Sequence, residues 1–160
     1  MEQGRIVINV IEQGNDPRVA PIAPLLEAMY AEMLHNGSMM PLARNGADLW
    51  FRSVANGLER FGRLSIAMIG EEVIGFAHGA IKLAPEHLGG ARVGHVSHVF
   101  VLPAHRRSGV ARGLVASLDE WFAAKEINNI ELSVVQGNAD GIAFWRSLGY
   151  TMELVQLRKR

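Results

Sequence analysis

The stretch at residues 101–114, VLPAHRRSGVARGL, constrains the fold of this 160-residue chain more than any other. It begins as an apolar strand, is interrupted by a proline, and continues as a turn that carries two arginines, a serine and a glycine. A helical pattern follows, because apolar residues recur on one face at Val110, Ala111, Leu114, Val115 and Leu118. The chain therefore runs from a strand through a basic turn into the start of a helix.

Such a helix start is a ready site for an anion, because it presents backbone N–H groups without partners and a partial positive charge. Gly109 lets an anion approach the backbone closely, and Ala111 is small. The stretch is not a Walker A loop, since no Gly-Lys-Ser/Thr follows, and it lacks the three glycines of a dinucleotide fingerprint. The pattern favours a diphosphate held mostly by main chain; a solvated turn with a glycine cap is the alternative.

Composition excludes several classes of protein. Lysine plus arginine and aspartate plus glutamate number 16 each, so the chain lacks the net positive charge of a nucleic-acid-binding protein. The absence of cysteine removes disulfides, thiolate metal sites and a cysteine nucleophile. No apolar run is long enough to span a bilayer, and the first residues do not read as a signal peptide. We expect a cytoplasmic protein with one domain over residues 1–160 that binds neither nucleic acid nor membrane.

Hydrophobic periodicity predicts the element order β α α β β β α β α β. Consecutive strands in the middle predict antiparallel pairing, and the β–α–β segment at 93–135 predicts a right-handed crossover between parallel strands. The fold class is therefore α/β, with a mixed, mostly antiparallel sheet of about six to seven strands and helices on both faces. Strands are expected at 5–12, in a hairpin within 63–83, and at 92–103, 129–137 and 150–159; helices are expected at 23–37, 44–62, 108–125 and 138–149.

Two segments resemble the GCN5-related N-acetyltransferase (GNAT) family. Its acyl-CoA signature, Arg/Gln-x-x-Gly-x-Gly/Ala, is matched by Arg106-x-x-Gly109-x-Ala111, and NADGIAFWRSLGY resembles its Asn-x-x-Ala-x-x-Phe-Tyr-x-x-x-Gly-Phe segment. The resemblance covers nearly the whole predicted element order. It implies an acyl-CoA N-acyltransferase fold, and a transferase that moves an acetyl group from acetyl-CoA to a primary amine by direct attack, without a metal.

The same resemblance implies where acetyl-CoA binds. Strand main chain at Phe100 and Val101 would pair with the pantetheine arm, and N–H groups of residues 107–111 would hold the pyrophosphate. Asn138 would bond the pantetheine arm or serve only as a helix N-cap, Arg112 would reach a phosphate or be solvated, and Phe144 would edge the groove or pack in the core. The expected acyl-CoA contacts are Phe100, Val101, Arg106, Arg107, Ser108, Gly109, Val110, Ala111, Arg112, Asn138, Phe144 and Trp145.

The expected catalytic groups depart from the family pattern. Trp145 stands where the family often has a tyrosine that protonates the thiolate, and indole cannot act as an acid. The strand RVGHVSHVFV has no glutamate but carries two histidines. Alternation predicts His95 and Ser97 on one face and His98 on the other, which argues against a shared metal.

His95 is the expected base, acting directly or through water, because the pKa of a histidine lies near neutrality. Its alternative is a histidine packed at a strand end, and His98 is the second candidate. Ser97 could position a water. Tyr30 could replace the missing acid, or merely pack in the core.

The acceptor is expected to lie against residues 33–46. No acidic cluster stands out to attract a polycation, so we expect a small-molecule amine or amino-acid-like acceptor. A homodimer is left open. The alternative is a non-catalytic acyl-CoA-binding or regulatory module on the same fold, which Trp145 and the missing glutamate favour; a third possibility is an interaction domain that binds no CoA.

Overall fold

A computed structural model describes residues 4–160 and shows a five-stranded sheet in the order β1-β2-β3-β4-β5, with helices on its two faces. The mixed, mostly antiparallel sheet confirms the predicted fold class. None of the helices in the described part of the chain is long and apolar enough to cross a membrane. The elements are β1 (Ile6–Ile11), α1 (Ile22–His35), α2 (Gly46–Ala55), β2 (Gly62–Ile69), β3 (Glu72–Leu83), β4 (Arg92–Val101), α3 (Val110–Ala124), β5 (Ile130–Leu132) and α4 (Ala139–Ser147).

The sheet is antiparallel from β1 to β4, and β5 pairs with β4 in parallel after the α3 crossover. The predicted hairpin is β2–β3, which turns at Gly70 with a φ of +58°. Strand β5 is shorter than predicted and pairs with β4 only from Gly94 to Val96. Residues 97–101 of β4 therefore have no β5 partner, and the sheet opens there into a gap that we call the wedge.

Two apolar cores lie on opposite faces of the sheet. Helices α1 and α2 cover one, around Leu26, Val54, Phe76 and Phe100, and we call this the α1/α2 face. Helix α3 covers the other, which we call the α3 face. The apolar side chains of α3 recur three and four residues apart, so one stripe of the helix is buried against the sheet; it comprises Val110, Leu114, Val115, Leu118, Trp121 and Phe122.

The predicted closing strand at 150–159 was wrong. Residues 150–160 form no strand, and the sheet has five strands rather than six or seven. An alternating apolar pattern becomes a strand only when an edge is available to pair with it, and β5 offers three residues. The tail side chains consequently stay exposed, to 85% at Leu154 and 90% at Leu157.

The second helix ends at Ala55 rather than near Gly62, as predicted. The N–H groups of Arg60, Phe61 and Gly62 all donate to the carbonyl of Gly57, which closes a turn. Phe61, which continues the helical pattern in the sequence, is 55% exposed as a result.

Leucines at a buried and an exposed position test the α3 core. Leu118 is fully buried and Leu83 is 73% exposed. We expect Leu118→Ala to lower the free energy of unfolding by about 2–5 kcal/mol, because the substitution removes buried methyl groups and leaves a cavity. Leu83→Ala should change it by no more than about 0.5 kcal/mol. Urea denaturation measures both, and equal losses would contradict the position of α3.

Candidate active site

The turn between β4 and α3 has the backbone shape of an anion cradle. Arg107 and Gly109 have φ values of +66° and +84°, and Gly109 begins α3 without a side-chain cap. Gly113 is the first residue of the helix whose N–H reaches a carbonyl, that of Gly109 at 3.1 Å. Within residues 4–160, the N–H groups of residues 107–112 donate to no protein acceptor. Successive free N–H groups of this kind form an anion-binding concavity.

The side chains around this cradle leave it open. A Cβ built on Gly109 would meet no atom within 4 Å, so the space above the glycine is free. Ser108 turns its hydroxyl away and donates to the carbonyl of His105 at 2.8 Å. Val110 is buried and Ala111 packs against the α3-face core, so both offer only main chain to the turn.

The two arginines of the turn and Arg112 in the first turn of α3 have different partners. The guanidinium of Arg106 donates to the Val101 carbonyl at 2.8 Å and to both carboxylate oxygens of Glu32, at 3.0 and 2.7 Å. Arg112 donates to the Ser147 hydroxyl at 3.1 Å and so ties α3 to α4. Arg107 makes no hydrogen bond or ion pair within the described chain. Arg107 is therefore the arginine whose side chain has no partner to give up before it contacts an anion, and the phosphate contacts expected of Arg106 and Arg112 stay predictions.

The main-chain groups that face the wedge belong to Val99 and Val101. The N–H of Leu102 donates to the carbonyl of Ile74, so Phe100 and Phe76 form the next hydrogen-bonded pair of the antiparallel ladder. The N–H and C=O of Phe100 thus point at β3. The expectation that the Phe100 main chain pairs with a ligand in the wedge was therefore wrong, and the pairing expected of Val101 stays a prediction.

A β-bulge at Ser97 changes which way the β4 side chains point. His78 pairs with His98 and Gly79 with Val96, which leaves Ser97 as the extra residue. Val96 lies in the α3-face core, whereas His98 contacts Tyr30 from α1. His95 precedes Val96 and so faces the α1/α2 side as well.

The prediction that His95 and His98 face opposite sides of the sheet was therefore wrong, because strict alternation does not survive an inserted residue. The argument that it supplied against a shared metal loses its premise. No group of three or more His, Cys, Asp or Glu side chains within residues 4–160 is arranged to hold a metal ion.

Four polar side chains form a hydrogen-bonded chain on the α1/α2 face. The Tyr30 hydroxyl lies 3.1 Å from His98 Nε2, His98 Nδ1 lies 2.9 Å from the Ser97 oxygen, and that oxygen lies 2.6 Å from His78 Nδ1. Trp50 of α2 covers both imidazoles edge-on, with ring centroids 5.7 and 5.1 Å away. We call Tyr30, His98, Ser97 and His78 the histidine chain.

His78 was missed at the sequence level. Its signal was a histidine inside the apolar run VIGFAHGAI, where a polar side chain needs a buried partner. Its partner, Ser97, lies 19 residues away on the next strand, and the contact depends on the bulge.

Burial sets the charge state of the histidine chain. Burial, helped by the nearby imidazole of His95, lowers the pKa of His78 from 6.5 to about 4. Burial likewise lowers the pKa of His98 to about 4, with His78 and His95 adding to the effect. Burial raises the pKa of the Tyr30 phenol. All four residues are therefore neutral near pH 7.

His95 lies where β4 still pairs with β5. Its Nδ1 is buried 3.3 Å from a carboxylate oxygen of Glu131, without the alignment of a hydrogen bond, and Lys82 binds the same oxygen at 3.1 Å. Burial and the Lys82 charge lower the pKa of His95, and Glu131 opposes them. Its role as the base stays a prediction.

The residues predicted in and near α4 mostly serve the packing of that helix. Asn138 is the N-cap, as predicted: its Oδ1 accepts from the Gly141 N–H at 2.9 Å. Trp145 packs against the α3-face core and contacts Phe144 and Tyr150 edge-on, at 5.0 and 5.2 Å. Phe144 is half-buried and lies outside both cores.

A depression of about 310 Å³ lies beside Tyr30, between α1 and residues 41–44. Its wall carries one acidic and one basic side chain, Glu27 and Arg44, with apolar atoms of Leu34 and Leu42. The end of α1 reaches the far side of the wedge, because a Cβ on Gly137 would clash with the carbonyl oxygen of Asn36. Helix α1 thus places Tyr30 between the depression and His98.

The lowered histidine pKa values predict how stability depends on pH. The unfolded chain binds protons near pH 6.5 but the folded His78 and His98 only near pH 4, so stability should fall as pH drops from about 6.5 towards 4. We expect the melting temperature of the His78→Gln/His98→Gln double variant to depend less on pH across that window. The exposed His87→Gln should keep the wild-type dependence, and a double variant with the wild-type slope would contradict the assignment.

Comparison with known proteins gives the chain its family. Residues 27–150 match the model of the Acetyltransferase (GNAT) family. An aminoglycoside N(6')-acetyltransferase type 1 of Acinetobacter haemolyticus is 28% identical over 123 residues, which cover 70% of this chain and 85% of that protein.

Two solved structures share the fold. The aminoglycoside N-acetyltransferase AAC(6')-Iy, in complex with CoA, superposes with a TM-score of 0.77 at 20% identity and covers 98% of this chain and 96% of its own. A ribosomal-protein-alanine N-acetyltransferase from Brucella melitensis biovar Abortus 2308 gives 0.68 at 20% identity, covering 98% and 99%. At these identities the structures show the fold alone, but the family match spans most of the chain. The chain therefore belongs to the GNAT acetyltransferase family and is an acyl-CoA-dependent N-acyltransferase.

Proposed function

We propose that this protein transfers an acetyl group from acetyl-CoA to a primary amine of a small-molecule or amino-acid-like acceptor. The observation that carries the proposal is the row of free N–H groups at residues 107–112, which stands directly beside the wedge. A diphosphate and an extended amide-bearing arm are the two chemical parts that such a cradle and such a strand edge would hold.

The residues present fit acetyl-CoA. The cradle offers N–H donors to the diphosphate and Arg107 offers a guanidinium. The peptide groups of Val99 and Val101 would pair with the pantetheine amides as an added strand does. The Val101 carbonyl is held by Arg106 at 2.8 Å, so binding there would require the arginine to share or release it. When bound, acetyl-CoA supplies the thioester carbon that the amine attacks.

The charge of the depression supports an acceptor of low charge. Glu27 and Arg44 balance one another on its wall. Glu32 on α1 and Glu131 on β5 are already paired with Arg106 and with Lys82. A polycation would find little uncompensated negative charge. The aminoglycoside N-acetyltransferases among the similar proteins make aminoglycosides a necessary part of any test.

The acceptor must reach the thioester as a neutral amine, so one proton has to be removed. His95 is one proposed base, acting directly or through water. Trp145 provides no acid, because its indole packs on the α3-face core. The expected alternative, a non-catalytic acyl-CoA-binding module, does not agree with membership of a family of acetyltransferases.

Calorimetric titration with acetyl-CoA tests the binding site. We expect desulfo-CoA to bind as well as acetyl-CoA, because both contain the diphosphate that the cradle would hold and the pantetheine arm that the wedge would hold. ATP has no pantetheine arm and should not compete. Arg107→Glu should weaken binding at least ~10-fold, since it reverses the unpaired charge. The exposed Arg5→Glu should leave it unchanged.

Thiol release then tests the chemistry, with a panel of amino acids, diamines and aminoglycosides as acceptors. Release with a mono- or diamine exceeding that with aminoglycosides would match the proposal. Binding of acetyl-CoA without thiol release for any amine of the panel would contradict the proposed classes of acceptor. Absence of acetyl-CoA binding would remove the proposed function.

We also propose that the chain forms a homodimer through its C-terminal tail. The tail exposes Met152, Leu154, Val155 and Leu157 to between 65% and 90%, and β5 leaves an open sheet edge. In a two-fold pair each copy would offer the other both a strand and an edge.

Light scattering after size exclusion measures this assembly. We expect twice the 17.5 kDa chain mass for the wild type and for the control Leu83→Ser. Leu154→Ser/Leu157→Ser should shift the protein towards the monomer, because these substitutions remove the apolar surface to be covered. A monomeric wild type at high concentration would contradict the dimer.

A further inference from the structure

We propose that the histidine chain is a proton relay, which conducts the proton of the acceptor amine from Tyr30 through His98 and Ser97 to His78 and then to solvent. The inference rests on the proposed function and deepens it. It assigns the proton path to four residues, of which His78 had no role from the sequence.

Each imidazole nitrogen in the chain can donate or accept, depending on the tautomer, and we assign the tautomers from the distances. The Ser97 hydroxyl has one proton, and its shortest contact is His78 Nδ1 at 2.6 Å, against 3.2 Å to the His78 carbonyl. If Ser97 donates to His78 Nδ1, then His98 Nδ1–H must donate to Ser97. His98 Nε2 then carries a lone pair, which accepts the Tyr30 O–H at 3.1 Å. Every bond in the chain thus has one donor and one acceptor, with all donors pointing away from Tyr30.

The two ends of the chain open in different places. Tyr30 lines the depression between α1 and residues 41–44. At the other end, His78 Nε2 lies beside Gly62, which has no side chain to cover it. His95 Nδ1 is the one buried side-chain polar atom without a hydrogen bond within residues 4–160. Within residues 4–160 His78 Nε2 forms no hydrogen bond either, but it is not fully buried, so this nitrogen keeps some solvent-accessible surface although His78 as a whole is only 8% exposed.

A single concerted shift moves one proton along this path. Tyr30 takes a proton from the amine and gives its own to His98 Nε2; His98 passes its Nδ1 proton to Ser97, Ser97 passes its proton to His78 Nδ1, and the His78 Nε2 proton enters solvent. Every residue ends neutral, with both imidazoles in the opposite tautomer. In the reverse shift one proton returns from solvent to Tyr30, which gives its own proton to the leaving sulfur, and the chain is reset. The nitrogen loses its second proton to solvent water as the amide forms, so an ammonium acceptor yields amide, thiol and one proton released to solvent.

The groups around His78 and His98 favour the passage of a proton through the two imidazoles over its retention on either of them. Trp50 covers the imidazoles from α2 and carries no charge. The titratable groups facing them are His95 on β4 and Tyr30 on α1, and beyond His95 lie Lys82 on β3 and Glu131 on β5. Burial keeps the pKa of both imidazoles low, so neither is a resting place for the proton near pH 7.

Ser97→Ala tests the relay because it interrupts the middle of the chain without altering either end. Ser97→Thr restores a hydroxyl, and Ser53→Ala, whose hydroxyl bonds only the Trp50 carbonyl of its own helix, is the matched control. We expect Ser97→Ala to lower kcat about 100-fold, the scale of general acid–base catalysis. The KM for acetyl-CoA should not change. Ser97→Thr should retain most of kcat and Ser53→Ala all of it.

Two readouts separate a relay from mere packing. Rates in mixtures of H2O and D2O should give a curved proton inventory for the wild type, from several protons in flight, and a linear one for Ser97→Ala. Nitrogen-15 NMR of the wild type should show His98 protonated on Nδ1 and His78 on Nε2, whether or not an acceptor is present.

The outcomes divide cleanly. Wild-type kcat and a curved inventory in Ser97→Ala would overturn the relay alone, as would a proton on His98 Nε2. A wild type that turns over no amine at all would overturn the proposed function and the relay with it. If His95→Gln loses activity while Ser97→Ala keeps a curved proton inventory, the relay is wrong and His95 is the base.

Discussion

The structure depends on one extra residue in β4. By inserting Ser97 between the pairs Gly79–Val96 and His78–His98, the bulge reverses the alternation of every residue that follows it. His98 turns to the α1/α2 face, and the peptide groups of Val99 and Val101 turn to the edge that β5 has left. The polar chain on the sheet face and the binding edge in the wedge are thus two consequences of the same backbone irregularity.

Much of the fold could be predicted because its signals are local. The β2–β3 hairpin has a glycine at its turn, α3 has an apolar stripe, and Asn138 caps α4 with its own side chain. The bulge has no such signal, since HVSHV reads equally well as a regular strand. His78 and Ser97 are partners only after two strands pair, so their contact could not be inferred from spacing. The prediction for residues 150–159 failed because apolar and polar residues alternate there as in a strand, but a strand forms only where a sheet edge is available for pairing.

The electrostatics follow from burial rather than from net charge. The chain is neutral as a whole, and at its basic turn Arg107 has no ion-pair partner within residues 4–160. The sheet face beneath Trp50 holds imidazoles that burial keeps neutral. The cradle at one end of the wedge therefore attracts an anion. The histidine chain on the α1/α2 face is proposed to transfer protons while its imidazoles stay neutral. A positively charged side chain next to His78 and His98 would disfavour their protonation and so oppose proton transfer through them.

The guanidinium of Arg106 connects two elements that lie on either side of the wedge. Its guanidinium joins the end of β4, through the Val101 carbonyl, to Glu32 on α1, and Tyr30 lies on the same helix half a turn earlier. The ion pair is more than a third exposed on both sides, so salt weakens it. Weakening the pair would loosen the link between the end of β4 and the helix that carries Tyr30. The exposed pair and the buried Tyr30–His98 hydrogen bond are thus connected through the backbone of α1, although their side chains make no contact with one another.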